Sequence, residues 1–230
     1  MPLQVLPRGL VVPILQGPCR GMRWVIGSGT HGCWLGSYEA GKIRLFAAAV
    51  QSGRVVYDIG ANVGIYTLAA SRLVGPRGQV IAFEPLPRNV RLLERHVRLN
   101  LCENVRIIPE ALCHQNGLAR FDEASDASQG HLASRGALEV KTARLDDVVL
   151  DEKLLLPDIM KVDVEGAEAD VLLGAERAIS GARPEIFLAT HGDEVKDRCM
   201  KWLRDHRYQV EALGGQPIDT ADEFRAWSVA

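Results

Sequence analysis

The 230-residue chain has no C-x-x-C pair, no basic run, no internal repeat and no low-complexity tail. Its five cysteines, at 19, 33, 102, 113 and 199, are scattered and odd in number. They suit neither a disulfide frame nor a thiolate zinc site, and fit reduced thiols in a cytoplasmic protein. The apolar stretch Leu10 to Leu15 is short and broken by Pro13. It is too short for a bilayer span and the wrong shape for a secretory leader, so no membrane attachment is expected. A formal net charge of −2 without a basic cluster argues against nucleic acid as the partner. What remains is 47% hydrophobic composition, enough for a proper core. One domain is expected over 1–230, with 1–38 as an N-terminal hairpin and lid segment.

The chain is organised around RVVYDIGANVGIY, residues 54–66. Arg54 to Tyr57 is β-branched and apolar, as in a buried parallel strand. Asp58 follows, then Gly60, Asn62 and Gly64, then a run able to continue as a helix. Glycine lets the backbone turn tightly and approach a ligand, and a helix start offers unpaired N–H groups. On its own this is also the pattern of an ordinary strand-to-helix turn. A second apolar strand, QVIAFEP at 79–85, ends in Glu84. An acid about 20 residues beyond the glycine turn is placed to take ribose hydroxyls. The turn is D-x-G-x-N-x-G, which offers no good cradle for a pyrophosphate. Asp58 would repel phosphate but suit the cationic amino acid end of S-adenosylmethionine (SAM). These features predict an α/β, doubly wound, Rossmann-like fold of the class I methyltransferase type, with SAM across the first two strands.

The rest of the chain alternates strand and helix signals. LVVPI and MRWVI predict a hairpin around QGPCRG. SGTHGCWLGSYE, rich in glycine, predicts an irregular loop whose His31 and Glu39 either line a pocket or pack structurally. A helix is expected over Glu39 to Gln51 and another over Pro87 to Leu101, with Val90, Leu93, Val97 and Leu101 on its apolar face and arginines facing solvent. Val105 to Pro109 reads as the third strand, with Glu110 and Ala111 after it near the adenine. Gly117 to Phe121 and Leu138 to Ala143 read as arms around a small, polar loop at 122–137, a second candidate lid. Pro157 to Val164 is the fourth core strand and leads into DVEGAE. Ala167 to Ile179 is expected to be one helix. Glu185 to Thr190 is the fifth strand, Asp193 to His206 a helix, and Tyr208 to Leu213 with Ala226 to Val229 an antiparallel edge pair.

The chain resembles the FkbM family of SAM-dependent methyltransferases. The matching stretches are WLGSYE (34–39), VYDIGANVGIYTLAA (56–70), VIAFEPLPRN (80–89), ARLDD (143–147) and KVDVEGAE (161–168). The resemblance implies a mostly parallel seven-stranded sheet and methyl transfer to a hydroxyl, often on a sugar or natural product. The chain departs from the family at the fifth strand end, where an acid is common and Ala189-Thr190-His191 stands instead. That shifts interest to His191.

The resulting site expectations are specific. Asp58, Gly60, Asn62, Gly64, Glu84, Glu110 and Ala111 hold SAM. His31, Glu39 and Glu165 meet a small-molecule acceptor. Asp163 and His191, at the ends of adjacent strands, remove its proton; a histidine titrates near neutral pH. The bland alternative is that His191 caps the next helix and Asp163 satisfies turn amides. Asp163, Glu165, Glu168 and His191 could also form an oxygen-rich metal site. No metal is assigned, because Glu168 and Glu165 are better explained as ordering their helix and turn. A homo-oligomer is possible. The competing functions are an NAD-dependent oxidoreductase, which the glycine pattern disfavours, and a non-catalytic SAM-fold binding module, which the acidic turn at 163–168 disfavours.

Overall fold

A computed structural model describes residues 6–122, 131–132 and 138–228. At the N-terminal end, β1 (Val11–Pro13) and β2 (Arg23–Val25) pair antiparallel, Val11 opposite Val25. Trp24 of β2 is fully buried and stacks on His96, ring centroids 4.0 Å apart. Burying a large side chain of this kind contributes about 1.5–3 kcal/mol, so the hairpin is anchored rather than loose. The glycine-rich stretch after it is not wholly irregular: His31–Leu35 forms a short helix, α1, and Gly32 O accepts from the N–H groups of Gly36, Ser37 and Tyr38. Helix α2 (Ala40–Ala49) follows and buries Ile43 and Phe46.

The core strands are β3 (Val55–Ile59), β4 (Gln79–Phe83) and β5 (Val105–Ile108), separated by α3 (Ile65–Val74) and α4 (Pro87–Leu99). Beyond β5 come short β6 (Ala111–Leu112), β7 (Gly117–Asp122), β8 (His131–Leu132) and β9 (Leu138–Ala143), which make a small second sheet in the order β6-β9-β7-β8. Much of the loop expected to be a lid at 122–137 lies outside the described residues. Then come α5 (Leu145–Asp151), β10 (Ile159–Val162), α6 (Glu168–Gly174), α7 (Glu176–Ala182), β11 (Glu185–Ala189), α8 (Asp193–Asp205), β12 (Tyr208–Ala212) and β13 (Glu223–Ser228).

The main sheet has seven strands in the order β12-β13-β11-β10-β3-β4-β5. β11, β10, β3, β4 and β5 run parallel, and β13 inserts antiparallel between β11 and β12. Every residue of β3 and β10 is buried, as a parallel strand covered by helices on both faces requires. Side chains alternate between faces. Tyr57, Ile59, Ile81, Phe83, Met160 and Val162 join one core, while Val56, Val80, Ile159 and Phe187 join the other with Trp24, Phe46 and Leu68. Strand order reverses between β3 and β10, and ligands of open α/β sheets bind where it does. Among the described residues no helix is long and apolar enough to cross a membrane.

Two helices end differently from the pattern in the sequence. The helix expected to reach Leu101 stops at Leu99, because the Asn100 side chain pairs with the β2 backbone: its Oδ1 accepts from Arg23 N at 2.7 Å and its Nδ2 donates to Arg23 O at 2.9 Å. Leu101 then takes φ 52° and is 82% exposed, and His96, not Leu101, is buried. The helix expected over 167–179 breaks at Ala175, whose φ of −113° and ψ of 14° leave the helical range. A side-chain carbon on Gly174 would lie 2.0 Å from Cys113 O, so only glycine permits that contact. Helix α7 restarts with the Asp146 carboxylate accepting from the N–H groups of Arg177 and Ala178, a favourable anion at a helix start.

Candidate active site

A cavity of about 670 Å3 opens at the carboxyl ends of β3, β4 and β10. That falls in the usual range for small-molecule sites, about 300–1,000 Å3. Gly60, Asn62 and Gly64 form one wall, and Glu84 with Glu110 and Ala111 forms another. His31, Asp163 and Glu165 stand on it as well. Three predicted site residues do not: Asp58, Glu39 and His191 are absent from its lining.

Asp58 lies beneath the cavity. It is fully buried, and its Oδ2 accepts from Thr67 Oγ1 at 2.6 Å. Its Oδ1 makes no hydrogen bond and faces the Lys161 ammonium 3.6 Å away. Its carboxylate thus faces the chain's own cation. Glu39 sits behind Tyr66, whose hydroxyl donates to Glu39 Oε2 at 2.8 Å. It also pairs with Lys42 at 3.6 Å, away from the main cavity.

Lys161 had no role in the sequence reading. A lysine in a strand that is otherwise apolar was the available signal, since lysine is almost never buried unless paired. Register places it directly opposite Asp58 on β3, on the same sheet face. Its Nζ donates to Gly60 O at 2.9 Å and reaches Asp163 Oδ2 at 3.3 Å. It also lies 5.2 Å from the centroid of the Tyr66 ring. Burial alone would push the ammonium pKa down, but the charges of Asp163 and Asp58 outweigh it and hold the pKa above its ordinary value. For Asp163, burial works upward, while Lys161 and then His191 outweigh it and keep the carboxyl below the usual range. Lys161 thus ties the glycine turn to a carboxylate that stays ionised.

Glu84 is buried at 4% exposure. Its Oε2 accepts from Asn62 N at 2.8 Å, and its Oε1 from Leu86 N at 3.0 Å and Asn89 Nδ2 at 3.2 Å. Burial is the largest influence and raises its pKa. A carboxylate has about four acceptor positions, so about one remains for a ligand hydroxyl. Glu110 lines the same cavity and pairs with Lys141.

His191 lies 2.9 Å, through Nδ1, from Oε1 of the fully buried Glu168. Its Nε2 faces Glu165 Oε2 at 3.4 Å and Asp163 Oδ1 at 3.8 Å. The Glu168 hydrogen bond leads these influences, burial opposes it, and the pKa rises to about 9. That shift favours the charged ring near neutral pH, the form that donates a proton rather than accepting one. The donor atoms of Asp163, Glu165 and His191 lie within 4.8 Å of one another, a spacing able to hold a metal ion. As found, His191 faces Asp163, Glu165 and Glu168 in an ion-pair network.

The Methyltransferase FkbM domain matches residues 58–210, well over half of the chain. The chain belongs to the FkbM methyltransferase family. It is 29% identical over 176 residues to the hexuronic acid methyltransferase AglP of Haloferax volcanii, covering 75% of this chain and 71% of that one. It is 26% identical over 197 residues to the 31-O-demethyl-FK506 methyltransferase FkbM of Streptomyces tacrolimicus, covering 71% and 75%. Among solved structures, an FkbM methyltransferase from Methylobacillus flagellatus superposes with a TM-score of 0.56 at 19% identity, covering 76% of this chain and 43% of that one. Fibrillarin from Aeropyrum pernix, with bound SAM, superposes at 0.51 and 18% identity, covering 81% and 76%. These structures share the class I SAM methyltransferase fold, and FkbM membership makes the chain a methyltransferase rather than a hydride-transfer enzyme.

Within this FkbM protein the DVEGAE turn is built around Glu168. Its Oε1 accepts from Val164 N and Gly166 N as well as facing His191. The expectation that Glu168 and His191 come together, raised above for a metal site, is met by a direct hydrogen bond between them.

Proposed function

We propose that the protein transfers a methyl group from SAM to a hydroxyl of a sugar or natural-product acceptor. The observation that carries this reading is that Glu84 and Asp163, at the ends of the strands on either side of β3, line one cavity and are joined through the 60–64 turn and Lys161. SAM supplies an electrophilic methyl on a sulfonium sulfur. The chain fits that group: Glu84 has an acceptor position for a ribose hydroxyl, and Gly60, without a side chain, lets the turn lie against the Asp163 backbone at the cavity edge. Glu110 and Ala111 stand where the adenine edge would be read. Support for a hydroxyl acceptor comes from the named activities of the relatives, which include a hexuronic acid methyltransferase and a 2-O-methyltransferase, NoeI, of Sinorhizobium fredii.

Asp163 has the role of acceptor-side carboxylate. It accepts a hydrogen bond from the hydroxyl, turns the oxygen lone pair toward the methyl, and takes the proton as the new C–O bond forms. Positioning of this kind is a large part of what such an enzyme contributes. The His191 cation sits behind it, balancing Asp163, Glu165 and Glu168. The segment 28–39 closes the acceptor side, with Ser28, Thr30, His31 and Tyr38 on the cavity wall.

Calorimetry with SAM and with NAD tests the cofactor, and release of S-adenosylhomocysteine (SAH) in the presence of sugar acceptors tests the reaction. SAM should bind and NAD should not. NAD binding without SAM binding would refute the reading.

A further inference from the structure

Resting on that reading, we propose that the acceptor carries an anionic group, a carboxylate or a phosphate, and that Arg88 with Arg8 holds it. Arg88 stands in the first turn of α4 and lines the cavity. Its Nε and Nη2 are shut off from water and have no hydrogen-bond partner. These two nitrogens make one edge of the guanidinium, the edge that matches two oxygens of a carboxylate or phosphate. A buried donor without a partner bears its full desolvation penalty. Two such donors on one cation mark a fork whose partner the described residues do not supply.

The acids on the cavity wall are committed elsewhere. Glu84 serves Asn62, Leu86 and Asn89, and Glu110 pairs with Lys141. Asp163 pairs with Lys161, and Glu165 with His191. Arg8 is exposed, lines the same cavity, and is in no ion pair among the described residues. Helix α4 has no acid in its first turn, so its positive end is not neutralised from within. The fork is covered in the ligand-free chain, and rotation of the Arg88 side chain presents it to an incoming anion.

The test uses protein saturated with SAH, titrated calorimetrically with D-glucuronate, D-glucose 6-phosphate and D-glucose. At least one of the two anionic sugars should bind about tenfold or more tighter than glucose, the gain of a charge-assisted pair. The better of the two identifies carboxylate or phosphate as the anchor. Arg88→Met should erase the preference, Arg88→Lys should keep part of it, and Arg8→Met should reduce it without touching the buried residue. SAH affinity should stay unchanged in all three. No preference for either anion overturns the proposal, as does a preference that survives Arg88→Met. Loss of SAH affinity in Arg88→Met also overturns it, assigning the arginine to the cofactor carboxylate. A wild-type protein that binds no SAH would instead refute the methyltransferase reading itself.

Discussion

Gly60 and Asp163 touch through their backbones so closely that a side-chain carbon on Gly60 would lie 1.8 Å from the Asp163 carbonyl oxygen. Gly60 also has φ 77°, in the left-handed region. The glycine turn and the Asp163 backbone are thus in direct contact, and the contact exists because residue 60 has no side chain. Gly60→Ala carries left-handed strain of order 1–3 kcal/mol and must also push the 163 turn aside. Thermal unfolding should show a fall of about 2–4 °C per kcal/mol for a chain of this size. SAM binding should weaken at the same time. An alanine variant with wild-type stability and affinity would show that this contact is not tight.

Glu84→Ala removes the acceptor of two backbone N–H groups and of the proposed ribose hydroxyl. Losing hydrogen bonds to a charged group costs about 1.5–3 kcal/mol, or roughly tenfold to a hundredfold in SAM dissociation constant. Calorimetry reads this directly. Unchanged affinity would place the ribose elsewhere.

The strands β3, β4, β10 and β11 were legible because buried parallel strands need uninterrupted apolar residues, and such runs are visible in one dimension. Glu84 was legible for a similar reason, since its distance from the glycine turn is a local count. Lys161 was not, because its meaning lies in Asp58 opposite it on another strand and in the Gly60 carbonyl. Arg88 looked like one more solvated arginine on α4, and only the packing around it separates it from the others. The charge of His191 was hidden for the same reason: it is set by Glu168, buried in a different element. Asp58 shows a motif residue whose carboxylate is engaged by Thr67 and Lys161, contacts that no local pattern announces.

Two histidines, His191 and His96, give opposite pH dependences. His191 has a folded pKa of about 9, above its ordinary 6.5. Its contribution to stability is present in full below pH 6.5 and is lost as the pH rises through 9. Denaturant unfolding of His191→Gln should lack that loss between pH 6.5 and 9. An identical slope in variant and wild type would mean that the ring is not held as a cation.

His96 behaves the other way. Burial lowers its pKa from 6.5 to about 4, against the Val63 carbonyl bonded to Nδ1. Its Nε2 accepts from Val25 N at 3.1 Å, which requires that nitrogen to be unprotonated. The unfolded chain binds a proton between those pH values and the folded chain does not, so stability falls as the pH drops from 6.5 toward 4. His96→Gln should lose part of this acid sensitivity. A slope unchanged from wild type would show that His96 does not drive it.

The most direct test of methyl transfer at this site is single-turnover transfer from bound SAM by Asp163→Asn, with an acceptor identified by SAH release. Asparagine keeps the shape but cannot take a proton. The rate should fall by about 10²–10⁴, the usual worth of a general base, while SAH affinity stays at the wild-type value. A wild-type rate at saturating SAM and acceptor would contradict the placement of the reaction at Asp163.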